Sequence, residues 1–101
     1  MNKENNKVTI KVEESIRDYV ESIDYEWSTR RDAVVFMLSN GMNTNTDAFK
    51  AYQKEMTEFG AQFTQAKAEV ERKYVLPETK GKACRWSLDY QTCELTITYE
   101  G

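Results

Sequence analysis

The residues able to do chemistry are few in kind and scattered in placement. Histidine is absent from the 101-residue chain. That removes Ser-His-Asp and Cys-His nucleophilic catalysis and the commonest general base. Cys84 and Cys93 are the only cysteines, and without histidine they do not make a four-ligand zinc site within one chain. There is no glycine-rich phosphate loop and no dinucleotide fingerprint. Asn43, Asn45 and Asp47 alternate like oxygen ligands, but the glycine and bidentate glutamate of a calcium loop are missing. Glu13, Glu14, Asp18, Glu21, Asp24 and Glu26 scatter around a helix, the pattern of a solvated face. No nucleophile, base and orienter converge, so a non-enzymatic protein is expected, with no cofactor, no metal and no small-molecule substrate.

Charge offers a second candidate. Residues 13–71 hold 12 acids and 6 bases, whereas 72–85 hold Arg72, Lys73, Lys80, Lys82 and Arg85 against Glu78. With Tyr74 and Trp86 close in sequence, this basic connector is a candidate nucleic-acid patch. Five bases without a binding motif are a small footprint, so a solvated loop or a protein-facing patch is the competing reading. Contact between the basic connector and the acidic stretch of a neighbouring copy would use the same polarity.

Positioning these residues falls to one central stretch, Glu13 to Tyr74. Ile16, Val20, Ile23, Trp27, Arg30, Val34 and Met37 form an apolar seam at steps of three and four, broken by Arg30. Phe49, Tyr52, Met56, Phe59, Phe63, Ala66 and Val70 form a second. The spacing predicts helices over 14–40 and 46–74. Asn40-Gly41 is a stop signal, and Thr46-Asp47 a start signal with a capping hydroxyl. Ser15 with Asp18 resembles a capping box for the first helix. The short connection favours an antiparallel hairpin, in which residues whose numbers sum to about 87 lie level. Trp27 then faces Gly60, and Arg30 falls near Glu55 or Glu58, since a charge in a seam needs a partner. The second helix is expected to end before Pro77, with 75–83 as connector.

Val8, Ile10 and Val12 alternate with polar residues, predicting a strand over 7–12 after a short flexible tail at 1–6. Strands follow at 84–90 and 93–99, turning near Gln91-Thr92. Either plausible register sets Cys84 opposite Ile97 or Tyr99, so the two thiols are expected to stay unbridged. Lys7 and Lys11 are placed to guard a sheet edge. The expected fold is a single α+β domain over 1–101: a long antiparallel two-helix hairpin with a small antiparallel sheet at its base, made of the N-terminal strand and the C-terminal β-hairpin.

A net charge of −3 points to no particular partner, and no apolar run approaches the roughly 20 residues that span a bilayer. The polar start, Met1 to Asn6, does not read as a signal peptide, so a cytoplasmic or virion setting is expected, with no membrane. One region stands out as uncovered. Ala33 to Leu38 is apolar nearly all round, and two helices cannot cover every side of such a turn. Val35, Phe36 and Leu38, with Met42 in the tip loop, are the candidate partner interface.

The run from Tyr52 to Tyr74, followed by Trp86 through Tyr99 (WSLDYQTCELTITY), resembles small uncharacterised proteins of Firmicutes phages and prophages. The resemblance extends over most of the chain in style and length. It implies a virion or host-interaction protein and brings no functional residues with it. The leading expectation is a structural or assembly protein that oligomerises or binds a larger protein. The alternative is a small inhibitor or regulator of a host enzyme or nucleoprotein, and the third is weak nucleic-acid binding through the basic connector.

Overall fold

The computed structural model describes residues 6–100. The expected tail lies outside the described residues except for Asn6. The elements run β1 (Lys7–Lys11), α1 (Glu14–Ser39), α2 (Asp47–Val70), a π-helical segment (Glu71–Val75), α3 (Leu76–Thr79), β2 (Cys84–Asp89) and β3 (Glu94–Tyr99). The fold is α+β: a helical hairpin and a three-stranded antiparallel sheet. Contacts gather the chain into two compact units, 20–66 and the remainder.

The helical unit, 20–66, is the hairpin. A Schellman closure ends α1: Met42 N–H reaches Met37 O at 3.0 Å, Gly41 N–H reaches Leu38 O at 3.1 Å, and Gly41 takes φ +70°. Thr46 Oγ1 accepts the Phe49 N–H at 3.2 Å and so caps α2, as its hydroxyl and position predict. Pairing is antiparallel. A Cβ built on Gly60 would lie 3.0 Å from Trp27 Nε1, so the missing side chain makes room for the indole. That indole also stacks on Phe63, with ring centroids 5.6 Å apart. Arg30 meets Glu55 at 3.2 Å and its own-helix Glu26 at 3.2 Å, with its guanidinium 4.7 Å from the Phe59 ring centroid. The break in the seam is therefore closed by two carboxylates and an aromatic face.

The sheet unit holds the three strands together with residues 14–19 of α1 and the helical run from Lys67 to Thr79. Strand order is β1-β3-β2. β1 pairs with β3 from Lys7↔Thr98 to Lys11↔Glu94, and β2 pairs with β3 from Cys84↔Tyr99 to Asp89↔Glu94. Leu95 and Ile97 of the central strand are fully buried, and Val70, Val75 and Val12 join them in this unit's core. Both cysteines are free thiols, Cys84 half-buried and Cys93 buried.

Three expectations are corrected here. The second helix does not stop at Tyr74, because helical structure continues through Pro77 to Thr79. Leu76 N–H bonds back to Glu71 O across a wider i→i+5 turn. That extra residue brings Val75 round to the buried side five positions after Val70. Pro77 sits at the start of α3, directly after the wide turn. The run ends at Lys80 (φ 54°) and Gly81 (φ 84°). The proposed capping box is also replaced: α1 opens at Glu14, Glu13 O accepts the Ile16 and Arg17 N–H groups, and Asp18 takes the Arg17 guanidinium instead. Finally, β2 stops at Asp89 and β3 starts at Glu94. Asp89 O accepts the Cys93 N–H at 2.9 Å, and Cys93 turns the corner at φ 60°.

Candidate functional site

The side chains singled out for an interface are all at the surface. Phe36 is 69% exposed, Val35 55%, Leu38 51% and Met42 44%. At 100° per residue, Val35 and Leu38 lie within about 60° of each other, and Phe36 lies about 100° beyond Val35. The apolar groups therefore wrap the last turn of α1 instead of forming one flat face. Val34, just before them in sequence, is buried on the seam. Tyr25, which sequence reasoning did not single out, is as exposed as Phe36 and lies three turns earlier on the same outward side of α1. A search for aromatics opposite the seam would have found it. The same unit has an open hollow of about 380 Å³ lined by Thr29, Arg30, Ala33, Tyr52 and Glu55. Its two charged groups are already paired with each other.

The basic candidates are dispersed by their partners. Arg72 is bound by Glu69, Lys73 by Glu13 at 3.1 Å, and Arg85 approaches Glu100 at 3.9 Å. Lys80 and Lys82 remain exposed at the left-handed turn after α3. Glu13 beside Lys73 raises the pKa of that ammonium group. Tyr74 and Trp86, proposed as stacking neighbours, are both half-buried and used internally: Tyr74 Oη accepts the Glu13 N–H at 3.1 Å, and the Trp86 indole donates to Glu71 at 3.1 Å. Lys82 also lines an open hollow of about 610 Å³ with Asn6, Ala83, Tyr99 and Glu100. Arg72 and Lys73 are thus held in ion pairs and Arg85 only loosely, while Lys80 and Lys82 have no ion-pair partner among the described residues.

The chemistry-bearing residues are used in turns. Asn43 Oδ1 accepts the Asn45 N–H at 2.8 Å, so the supposed ligand spacing closes the tip loop. Asp89 Oδ1 does the same for Gln91 N–H at 2.8 Å in the β-turn. Arg17 donates to Tyr90 O at 2.6 Å, tying the start of α1 to that turn, and Asp18 beside it raises the guanidinium pKa. Among the described residues no three His, Cys, Asp or Glu side chains come together as a metal site, and no helix is long and apolar enough to cross a membrane.

Comparison with protein-family models, with curated proteins and with solved structures finds no match to this chain.

Proposed function

We propose that this chain is a non-enzymatic assembly protein that works through protein–protein contacts made at the tip of its helical hairpin. The observation that carries the reading is the exposure of Val35, Phe36, Leu38 and Met42, four apolar side chains clustered at one helix end. Patches of this kind mark interaction sites on soluble proteins. The absence of histidine and the use of the remaining polar groups in turns and ion pairs favour recognition over catalysis. The resemblance to small phage and prophage proteins supports a virion component. Inhibition of a host enzyme is the second reading, favoured by the excess of acids over residues 13–71. Nucleic-acid binding fits less well, because Arg72 and Lys73 each answer a carboxylate.

The test compares the natural chain with a Phe36→Ser, Leu38→Ser variant by light scattering and by affinity capture from cells that carry the gene. The expected result is one stoichiometric association that the variant loses while its circular dichroism is unchanged. A natural chain that is strictly monomeric and captures the same proteins as the variant overturns the proposal. A single captured replication or defence enzyme would move the reading to inhibition.

A further inference from the structure

The two edges of the sheet differ in how they would meet a copy of themselves. We infer that β2 is a self-pairing edge and that a second copy of this chain adds to it, antiparallel, to make one six-stranded sheet. This rests on the reading of the chain as an assembly protein and names one of its partners.

Hydrogen-bond phase comes first. β3 is central, so one side of β1 and one side of β2 carry no strand. Glu100 N–H donates to Ala83 O at 3.0 Å, which marks Ala83 and Glu100 as a hydrogen-bonded pair. Alternation then turns the backbone groups of Arg85, Ser87 and Asp89 toward β3, and those of Cys84, Trp86 and Leu88 toward the open edge. A two-fold axis at Ser87 is compatible with that phase. It makes Trp86 and Leu88 of one copy a hydrogen-bonded pair with the second copy's Leu88 and Trp86, and leaves Ser87 facing its own counterpart across a non-hydrogen-bonded site.

Charge then selects this register. Arg85, Ser87 and Asp89 share the exposed face of β2. With the axis at Ser87, Arg85 stands opposite Asp89 of the second copy, twice over by symmetry, with Cβ atoms about 5 Å apart. Shifting the axis by one residue either way removes both pairs. Arg85 is available for this: its present partner, Glu100, is 3.9 Å away and both side chains are more than half exposed, 79% and 53%. Asp89 uses Oδ1 for the turn, and a carboxylate accepts at both oxygens. Trp86 and Leu88, half-buried where Leu95 and Ile97 are fully buried, gain cover from each other across the junction.

The opposite edge behaves in the reverse sense. Val12 N–H donates to Cys93 O at 2.9 Å, so Lys7, Thr9 and Lys11 face the open side of β1. Full antiparallel overlap of two β1 strands sets Lys7 against Lys11 of the other copy, twice, and like charges directly opposite are destabilising. One edge repels its copy and the other attracts it, which closes the assembly at two copies on this sheet instead of an open fibre.

The ladder is short compared with a standard interface of about 800 Å² per partner, so the expected dimer is weak, on the order of micromolar. Sedimentation velocity of the full chain over about 1 to 500 µM should show it. Arg85→Glu should weaken it about tenfold or more, and Arg85→Lys should retain it. Ser87→Cys in a Cys84→Ala background should oxidise to a dimer linked through position 87, since the paired Cα atoms sit about 4.5 Å apart. Thr9→Cys in the same background should not. In the natural chain, amide exchange at Trp86 and Leu88 should slow as concentration rises, a readout that needs no variant to fold. A chain monomeric throughout, with concentration-independent exchange at those amides, overturns the pairing. Association that Phe36→Ser, Leu38→Ser abolishes but Arg85→Glu leaves intact also overturns it, while leaving assembly through the tip in place. Association lost with Arg85→Glu and indifferent to the tip variant upholds the pairing and removes the tip.

Discussion

The sheet unit and the helical unit cover their apolar groups in different ways. In the sheet unit Leu95, Ile97 and Val70 are completely buried and Val75 nearly so. In the helical unit the buried positions are Val20, Ile23, Val34, Phe49 and Ala66, while Trp27, Met56, Phe59 and Phe63 on the seams are only half-buried and Tyr52 is exposed. The cause is layering. A sheet with helices against it closes a core from two sides, whereas two helices side by side share one seam and leave its flanks open. Order in the sheet unit therefore comes mainly from apolar area removed from water. Order in the helical unit leans on particular fits: an indole over a glycine, and a guanidinium between two carboxylates and a ring.

The largest effect should come from emptying the closed core. Ile97→Ala should cost about 3 kcal/mol in urea unfolding, the usual scale for deleting a fully buried aliphatic side chain. A loss below about 1 kcal/mol would erase the contrast between the units. Next comes the fit in the open seam. Gly60→Leu should cost about 2 kcal/mol, because its Cβ already lies 3.0 Å from Trp27 Nε1 and 3.3 Å from Cδ1 while Phe63 stacks on the indole. An unchanged melting temperature would mean the seam tolerates overpacking and that fit does not set its register.

A third change should move the sheet unit the other way. Thr79 is 2% exposed and its Oγ1 has no hydrogen-bond partner among the described residues. Thr79→Val removes the desolvated hydroxyl at nearly constant shape, so the unfolding free energy should rise by about 1 kcal/mol. A fall would indicate that the hydroxyl is satisfied by water. The smallest effect concerns Lys73. Its pKa is raised by Glu13, so its contribution is complete below the ordinary lysine range and fades as pH climbs through the raised value. Melting temperatures of the natural chain and Lys73→Met should differ by a constant small amount through neutral pH and converge only in strong alkali.

The parts legible in the sequence were those with strong periodicity or one dominant fit. Steps of three and four give both seams, and counting back from the loop puts Trp27 over Gly60 and Arg30 near Glu55 or Glu58, of which the structure selects Glu55. Strict alternation gives the strands and narrows the partner of Cys84 to Ile97 or Tyr99, and the structure selects Tyr99. What escaped depends on backbone choices that residue types permit but do not demand. Pro77 reads as a stop, yet in the first turn of a new helix it is well tolerated, and only a shift to i→i+5 bonding lets Val70 and Val75 be buried together. The pairing of the basic connector is hidden in the sequence for a different reason. Counting charges along the chain ignores partners distant in sequence, such as Glu13 for Lys73, sixty positions away. The exposure of Val35, Phe36, Leu38 and Met42 is legible because an apolar turn of this kind cannot be covered on every side by two helices.

The central place of β3 in the sheet has a consequence for how the chain comes off the ribosome. Of the described elements β1 is made first and its hydrogen-bonding partner, β3, last. At roughly 5–20 residues per second, β1 must wait on the order of several seconds with both edges bare. The hairpin over residues 20–66, built from neighbours in sequence, has no such delay. Lys7 and Lys11 then serve a second purpose: on nascent chains crowded along one message, they keep one waiting strand from pairing with another.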